Sequence, residues 1–212
     1  YYDDFEQVNM KQGNWLVLAR TKFMLNDLED TLYSQGLYYQ NKFKTNREQD
    51  LYTAVNDWEN LRKGVDINYD QISRISSYMS EKHFEKNCLK YMDKDARHTM
   101  QSLRERMWLK TNDVWYNAFD NAPQKKVRYI RRMRENGEKL NSSPRITLST
   151  IHGVKGGEQD NVVLLTDLSR NTQRNYEQNP DDENRLFYVG ATRTKNHLHI
   201  IRPKDIYKGY KI

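Results

Sequence analysis

The sequence predicts an α/β protein whose single parallel sheet is drawn from both ends of the chain and interrupted by an all-helical insertion. Three observations lead there. Residues 13–43 read as strand, helix and strand within about 30 residues, the size of a β-α-β unit. Residues 44–142 carry apolar side chains at helical spacing with almost no strand signal. Residues 144–212 then return to strands separated by a helix. Each α/β piece is too short to cover both faces of a parallel sheet, so the two are most simply halves of one domain, 1–43 with 144–212, split by an insertion at 44–143.

Trp15 to Ala19 is an apolar run of strand length, and Leu25, Leu28 and Leu32 follow at helical spacing before Gly36, a good helix terminator. Leu37, Tyr38 and Tyr39 are expected to form the next strand. In the insertion, Leu51, Val55, Trp58 and Leu61 fall at i, i+4, i+7 and i+10, one face of an amphipathic helix. The helical habit continues through Ile72, Ile75 and Met79, then Leu103, Met107 and Trp108, then Trp115 and Phe119, then Val127, Ile130 and Met133. Trp58, Trp108 and Trp115 share these apolar faces and are expected in a core rather than as stacking platforms for bases. Residues 145–151 alternate as a strand, and 161–165 read as a buried one. Pro180 with Asp181, Asp182 and Glu183 opens a helix, with carboxylates where its N-terminal amides favour them. That helix is expected to run to about Lys195, docking on the sheet through Leu186 and Val189 and leading to Arg193, with a last strand at 197–201.

With 212 residues, the chain is too short for a complete two-lobed motor. Its aromatic content of 12% excludes a disordered polyelectrolyte, and its net charge of +6 favours a polyanionic partner. The lone Cys88 excludes an internal disulfide and any Cys-rich metal site. Without a signal pattern or an apolar run of spanning length, a cytoplasmic protein with no membrane partner is expected. The chain opens on Tyr1 rather than Met, as expected of a piece of a longer protein.

Chemistry concentrates in a few segments. Thr150-Ile151-His152-Gly153-Val154-Lys155-Gly156-Gly157-Glu158 follows a strand, and its glycines either make a plain connection or let backbone amides approach a phosphate or sugar. It is not a Walker A loop, because G-x-x-x-x-G-K-[ST] occurs nowhere in the sequence. Arg193 and Lys195 either neutralise the C-terminus of their helix or reach out of the domain. The strand ending in Asp167 imitates a Walker B magnesium site, but without a P-loop it reads as a core strand with a turn acid. His83, His98, His197 and His199 lack metal-ligand spacing with carboxylates or thiols. Lys125, Lys126, Arg128, Arg131, Arg132 and Arg134 put six cations in ten residues, either a solvated helix face or a contact for duplex phosphates.

In order and spacing, residues 150–158 closely resemble motif V, and Arg185-Leu186-Phe187-Tyr188-Val189-Gly190-Ala191-Thr192-Arg193 closely resembles motif VI, of superfamily 1 DNA helicases of the UvrD/PcrA/Rep type. Residues 15–21 with Leu28 and Glu29 look like the early strand and helix of that family's second RecA-like domain. The sequence departs from the family pattern at Gly157, Gln159 and Asn184. The resemblance implies a second RecA-like lobe, a parallel sheet of P-loop NTPase type, interrupted by the accessory helical subdomain. It implies Arg193 as an arginine finger, Glu158 and Gly156 at the nucleotide, and Arg20, Thr21, Thr150 and His152 along single-stranded DNA. The basic helix would meet duplex at a fork. ATP with Mg2+ would be bound mainly by an N-terminal RecA-like half carrying Walker A and Walker B, so this chain is not expected to hydrolyse ATP alone. Two other readings are a non-catalytic nucleic-acid-binding module of the same descent and a protein-interaction domain of a repair complex.

Overall fold

The computed structural model describes residues 1–44, 49–139, 142–154, 156–205 and 207–212. Lys155 of the glycine loop therefore lies outside the described residues. In chain order the elements are β1 (Trp15–Ala19), α1 (Leu25–Gln35), β2 (Tyr39–Asn41), α2 (Gln49–Arg62), α3 (Tyr69–Ser77), α4 (Met100–Glu105), α5 (Trp115–Ala118), α6 (Gln124–Glu135), β3 (Ile146–Thr150), β4 (Gln159–Leu165), α7 (Arg170–Gln178), α8 (Pro180–Ala191) and β5 (Thr194–Ile201). By contacts the chain divides into two units. One comprises Tyr1–Asn46, Arg132–Glu138 and Ser143–Ile212, and the other Arg47–Arg131 and Lys139–Ser142. The boundary falls inside α6, just after Arg131.

The first unit holds a five-stranded, all-parallel sheet in the order β2-β3-β1-β4-β5. β1 is central and buried along its whole length, as a parallel strand covered on both faces must be. Its side chains alternate between two cores. Trp15, Val17 and Ala19 join Leu25, Leu28 and Leu32 of α1, together with Phe5, Val8 and Met10 of the N-terminal segment. Leu16 and Leu18 join Val162 and Leu164 of β4, Ile151, Val154 and Phe187 of α8.

The second unit packs α2 to α5 and the first turns of α6. Leu51, Val55, Trp58 and Leu61 of α2 are all buried, as their spacing predicts, and Trp58 donates from its indole to the Asp113 carbonyl at 3.1 Å. Asn68 with Gln71, and Thr99 with Ser102, form reciprocal caps that start α3 and α4, satisfying amides a helix start leaves unpaired. Buried Asp57 accepts from Gln71 at 2.7 Å and pairs with Arg74 at 2.5 Å.

The structure departs from the sequence expectations at several places. The strand expected at Leu37 begins at Tyr39, because Leu37 and Tyr38 fill the core on leaving α1. α4 stops at Glu105, Met107 takes a left-handed φ of 58° and stands 76% exposed, and Trp108 is only half-buried. Arg106 lies 5.0 Å over the Trp108 ring. α7 has no counterpart in the sequence reading, since its polar run carries almost no apolar period. α8 ends at Ala191 rather than near Lys195, and β5 starts at Thr194.

The docking face of α8 also differs from expectation. Its buried stripe is Glu183, Phe187 and Gly190, while Val189 is 38% exposed. Gly190 explains the rotation: a Cβ there would come within 3.1 Å of Leu164 and 3.3 Å of Ile151, so its absence lets the helix sit close to the sheet. Phe187 stacks flat on Tyr210 with ring centroids 3.9 Å apart. No described helix is long and apolar enough to cross a membrane.

Gly36 caps α1 in the left-handed conformation with φ 69°, and Leu37 donates back to Leu32 at 3.0 Å, a Schellman closure. The end of α6 rests on this cap: Asn136 donates to the carbonyls of Gln35 at 2.8 Å and Gly36 at 2.9 Å, and Arg132 to that of Ser34. A Cβ on Gly36 would collide with Arg132 Cβ and lie 2.9 Å from its carbonyl carbon. Gly36→Ala is therefore expected to lower stability by about 2–4 kcal/mol, combining left-handed strain with overpacking. Urea unfolding of both proteins measures it, and a loss under about 0.5 kcal/mol, the scale of an ordinary surface change, would refute the close approach.

Candidate functional site

Because every strand runs the same way, the sheet has one carboxyl edge and one amino edge, and the sequence-predicted site residues divide between them. Arg20 and Thr21 follow the end of β1, and Thr150 ends β3. The Ile151 amide donates to the Ala19 carbonyl at 3.0 Å, fixing these two strand ends side by side. Glu158 and Arg193, in contrast, stand immediately before β4 and β5. The Gln159 amide donates to the Arg193 carbonyl at 3.0 Å, so these two also adjoin. The edges are separated by the length of a strand, roughly 16 Å for five residues.

The glycine segment joins the two edges. A parallel crossover commonly needs a dozen or more residues, yet here residues 151–158 alone return the chain from β3 to β4. They do so through a 3-10 turn at His152–Val154 and a left-handed Gly156 with φ 78°. Gly157 donates to Val154 at 2.8 Å. The expected single ligand loop at a carboxyl end is thus only half of the arrangement: Thr150 to Gly153 lie at that end, and Gly156 to Glu158 lead into the opposite one.

At the carboxyl edge, Arg20 makes two charge-assisted hydrogen bonds to Glu183 of α8, Nε to Oε2 and Nη2 to Oε1, both 2.8 Å. The Glu183 side chain is 7% exposed and that of Arg20 21%. Thr150 is buried, and its hydroxyl accepts from the Gly153 amide at 3.1 Å. Thr21 has a buried hydroxyl oxygen with no partner among the described residues. His152 is exposed. A cleft of about 730 Å³ opens here between α7 and α8, with Arg20, His152, Glu183 and Arg185 in its wall. Gly153 is exposed, yet a Cβ there would come within 2.9 Å of Phe43 Cζ and of Ser149 Oγ. Lys22 stands 4.4 Å over the Phe43 ring.

At the amino edge, Glu158 and Gly156 are exposed and Arg193 is half-buried. The Arg193 guanidinium folds back on its own helix, donating from Nε to the Val189 carbonyl at 2.9 Å and from Nη2 to Thr192 Oγ1 at 3.4 Å. In this conformation it neutralises the α8 C-terminus. Beyond the carboxyl end of β4, Asp167 accepts from the Lys204 amide at 3.0 Å, and burial pushes its carboxyl above the ordinary range, the geometry of a turn acid. Among the described residues no group of three His, Cys, Asp or Glu side chains could hold a metal ion.

The basic helix presents Lys125, Arg128 and Arg131 exposed and Lys126 half-buried, while Val127, Tyr129 and Ile130 are buried. Arg131 lies 4.6 Å over the Tyr116 ring. Arg132 is exposed too but belongs to the other unit, where it is committed to the Ser34 carbonyl.

Sequence reasoning missed two features, the Glu183 partner of Arg20 and the Phe43 ring against Gly153. The first had a readable signal: Glu183 precedes Phe187 and Gly190 by four and seven residues, so a carboxylate falls on the buried stripe and must find a cation. Phe43 had none, because its contact depends on tertiary placement.

Among curated proteins the sequence finds no match. Residues 21–205, spanning β2 to β5, α1 and the whole insertion, match the family described as the UvrD-like helicase C-terminal domain. The all-parallel sheet, the helical insertion and the placement of both motif segments agree with that match, and the chain belongs to the UvrD-like helicase C-terminal domain family.

Proposed function

We propose that this chain is the second RecA-like lobe of an ATP-dependent DNA helicase, which couples ATP hydrolysis to translocation on single-stranded DNA and to unwinding of duplex. The observation that carries the reading is the junction of Glu158 with Arg193 through the bond from Gln159 to the Arg193 carbonyl. One carboxylate and one guanidinium are thereby offered together at a sheet edge, in a chain of a helicase family.

ATP with Mg2+, held mainly by an N-terminal lobe, would supply the phosphoryl group transferred to water. The donors of this chain fit its outer contacts: a carboxylate accepts from ribose hydroxyls, and a guanidinium stabilises charge spread over phosphoryl oxygens. Arg193 would release the Val189 carbonyl and turn toward the phosphoryl oxygens, and Gly156, bare of a side chain, would let backbone approach the nucleotide. At the other edge, Arg20, Thr21, Thr150 and His152 would follow a single strand, where cations and hydroxyls hold phosphate without reading sequence. The segment 151–158 would carry movement of one edge to the other. The exposed cations Lys125, Arg128 and Arg131, with half-buried Lys126, suit duplex phosphates at a fork. They equally favour the second reading, a nucleic-acid-binding module without turnover.

The two readings part at Arg193. In the helicase that carries this chain, Arg193→Ala is expected to reduce ATP turnover by roughly 10³-fold or more. Stability should stay within about 0.5 kcal/mol, since the side chain makes only local bonds, and DNA affinity should stay within about twofold, the size of one peripheral contact. Undiminished steady-state ATPase in the variant would sink the motor reading and leave the binding module. For the basic helix, Lys126→Ala with Arg128→Ala should weaken duplex binding at every sequence alike and flatten the slope of log affinity against log salt by up to about 1.8. Fluorescence anisotropy with two unrelated duplexes measures both, and an unchanged slope would reduce the face to a solvated one.

A further inference from the structure

The geometry points to Glu183 as a positioning residue: it fixes the Arg20 guanidinium in the cleft and cancels its charge, so that a DNA strand meets a directed hydrogen-bond donor carrying no net charge. This rests on the reading that the carboxyl edge carries the strand. The two charge-assisted bonds from Nε and Nη2 engage both Glu183 oxygens, a fork geometry that leaves the guanidinium little rotational freedom. The third nitrogen, Nη1, makes no hydrogen bond among the described residues, and Arg20 lines the cleft beside His152. Glu183 is itself fixed from behind, by its place on the buried stripe of α8 with Phe187 and Gly190.

Electrostatics separates this arrangement from an ordinary phosphate-binding arginine. A cation that neutralises a phosphate displaces a condensed counterion, and the affinity then falls with salt by about 0.7 per contact on single strands in logarithmic slope. An ion pair of zero net charge can donate a hydrogen bond to phosphate without that displacement. The other charges facing the cleft are Asp182, Arg185 and His152. Arg185 is exposed and makes no hydrogen bond or ion pair among the described residues, so it acts as an undivided charge where Arg20 does not.

The test is the salt dependence of binding to a single-stranded oligothymidylate, followed by fluorescence anisotropy for the chain and its variants across a roughly fourfold salt range. Glu183→Gln unmasks the Arg20 charge and should steepen the slope by about 0.7, changing its affinity relative to the parent two- to threefold across the range. Arg20→Gln combined with Glu183→Gln restores a neutral pair without the guanidinium; it should keep the parent slope while binding more weakly at every salt concentration. Arg185→Ala should flatten the slope by about 0.7. Thermal melting verifies folding, and if Glu183→Gln alone does not fold, the double variant still decides. An unchanged slope in Glu183→Gln, or a slope flattened by about 0.7 in the double variant, would overturn the assignment. A parent chain that does not bind the oligonucleotide would instead overturn the strand reading beneath it.

Discussion

Both strands that flank β1 come from the far side of the helical insertion, β3 on one side and β4 on the other. The first α/β piece offers β1 no partner of its own, because β2 pairs only with β3. A central strand as buried as this one cannot leave its amides and carbonyls unpaired, at about 1–3 kcal/mol for each buried group left without a bond. The chain must therefore return across the insertion and slide β3 between β2 and β1 before the domain exists. Arg145 marks the point of return: it grips Glu138 with two nitrogens and donates to the carbonyls of Met10 at 2.7 Å and Gly13 at 3.0 Å. The segments entering β1 and β3 are thereby held in register by one side chain.

The same topology separates the two candidate edges and connects them. Parallel strands send every carboxyl end one way, so residues that follow β1 and β3 gather on one edge, and residues that precede β4 and β5 on the other. Two elements span the distance. One is the short return through residues 151–158. The other is α8, whose first turn carries Glu183 against Arg20 and whose C-terminus carries Arg193. Gly190, packed against Ile151 and Leu164, holds the helix against both the return and the sheet.

Much of this was legible in the sequence, and the reasons differ by element. β1 and β4 announced themselves through short apolar runs, as strands buried on two faces require, β3 through its alternation of apolar and hydroxyl side chains, and α2 through Leu51, Val55, Trp58 and Leu61 on one face. α7 was invisible: it is held by a Ser169 cap and by Thr172 and Tyr176 in contact with the domain, on a polar run in which Tyr176 alone is aromatic or apolar. Of the two residues expected to dock α8, Leu186 does pack against the core, whereas Val189 is exposed. A glycine and a glutamate were the buried positions, the one chosen for closeness and the other for a partner that lies 163 residues away. Of the candidate site, the motif segments name candidate residues but not their division between edges, which depends on strand order, a property no local pattern records.

The posture of Arg193 follows from where α8 ends. A helix C-terminus leaves carbonyls without partners, and Arg193, two residues past Ala191, satisfies that of Val189 in the absence of any other ligand. The bond is solvent-accessible and local, so it stabilises by only about 1 kcal/mol. The contact holds a long cationic side chain against the helix end at little cost. The backbone of Arg193 is held separately, since its carbonyl is bound to Gln159. Rotation about side-chain bonds alone can redirect the guanidinium, while the point from which it swings stays fixed beside Glu158.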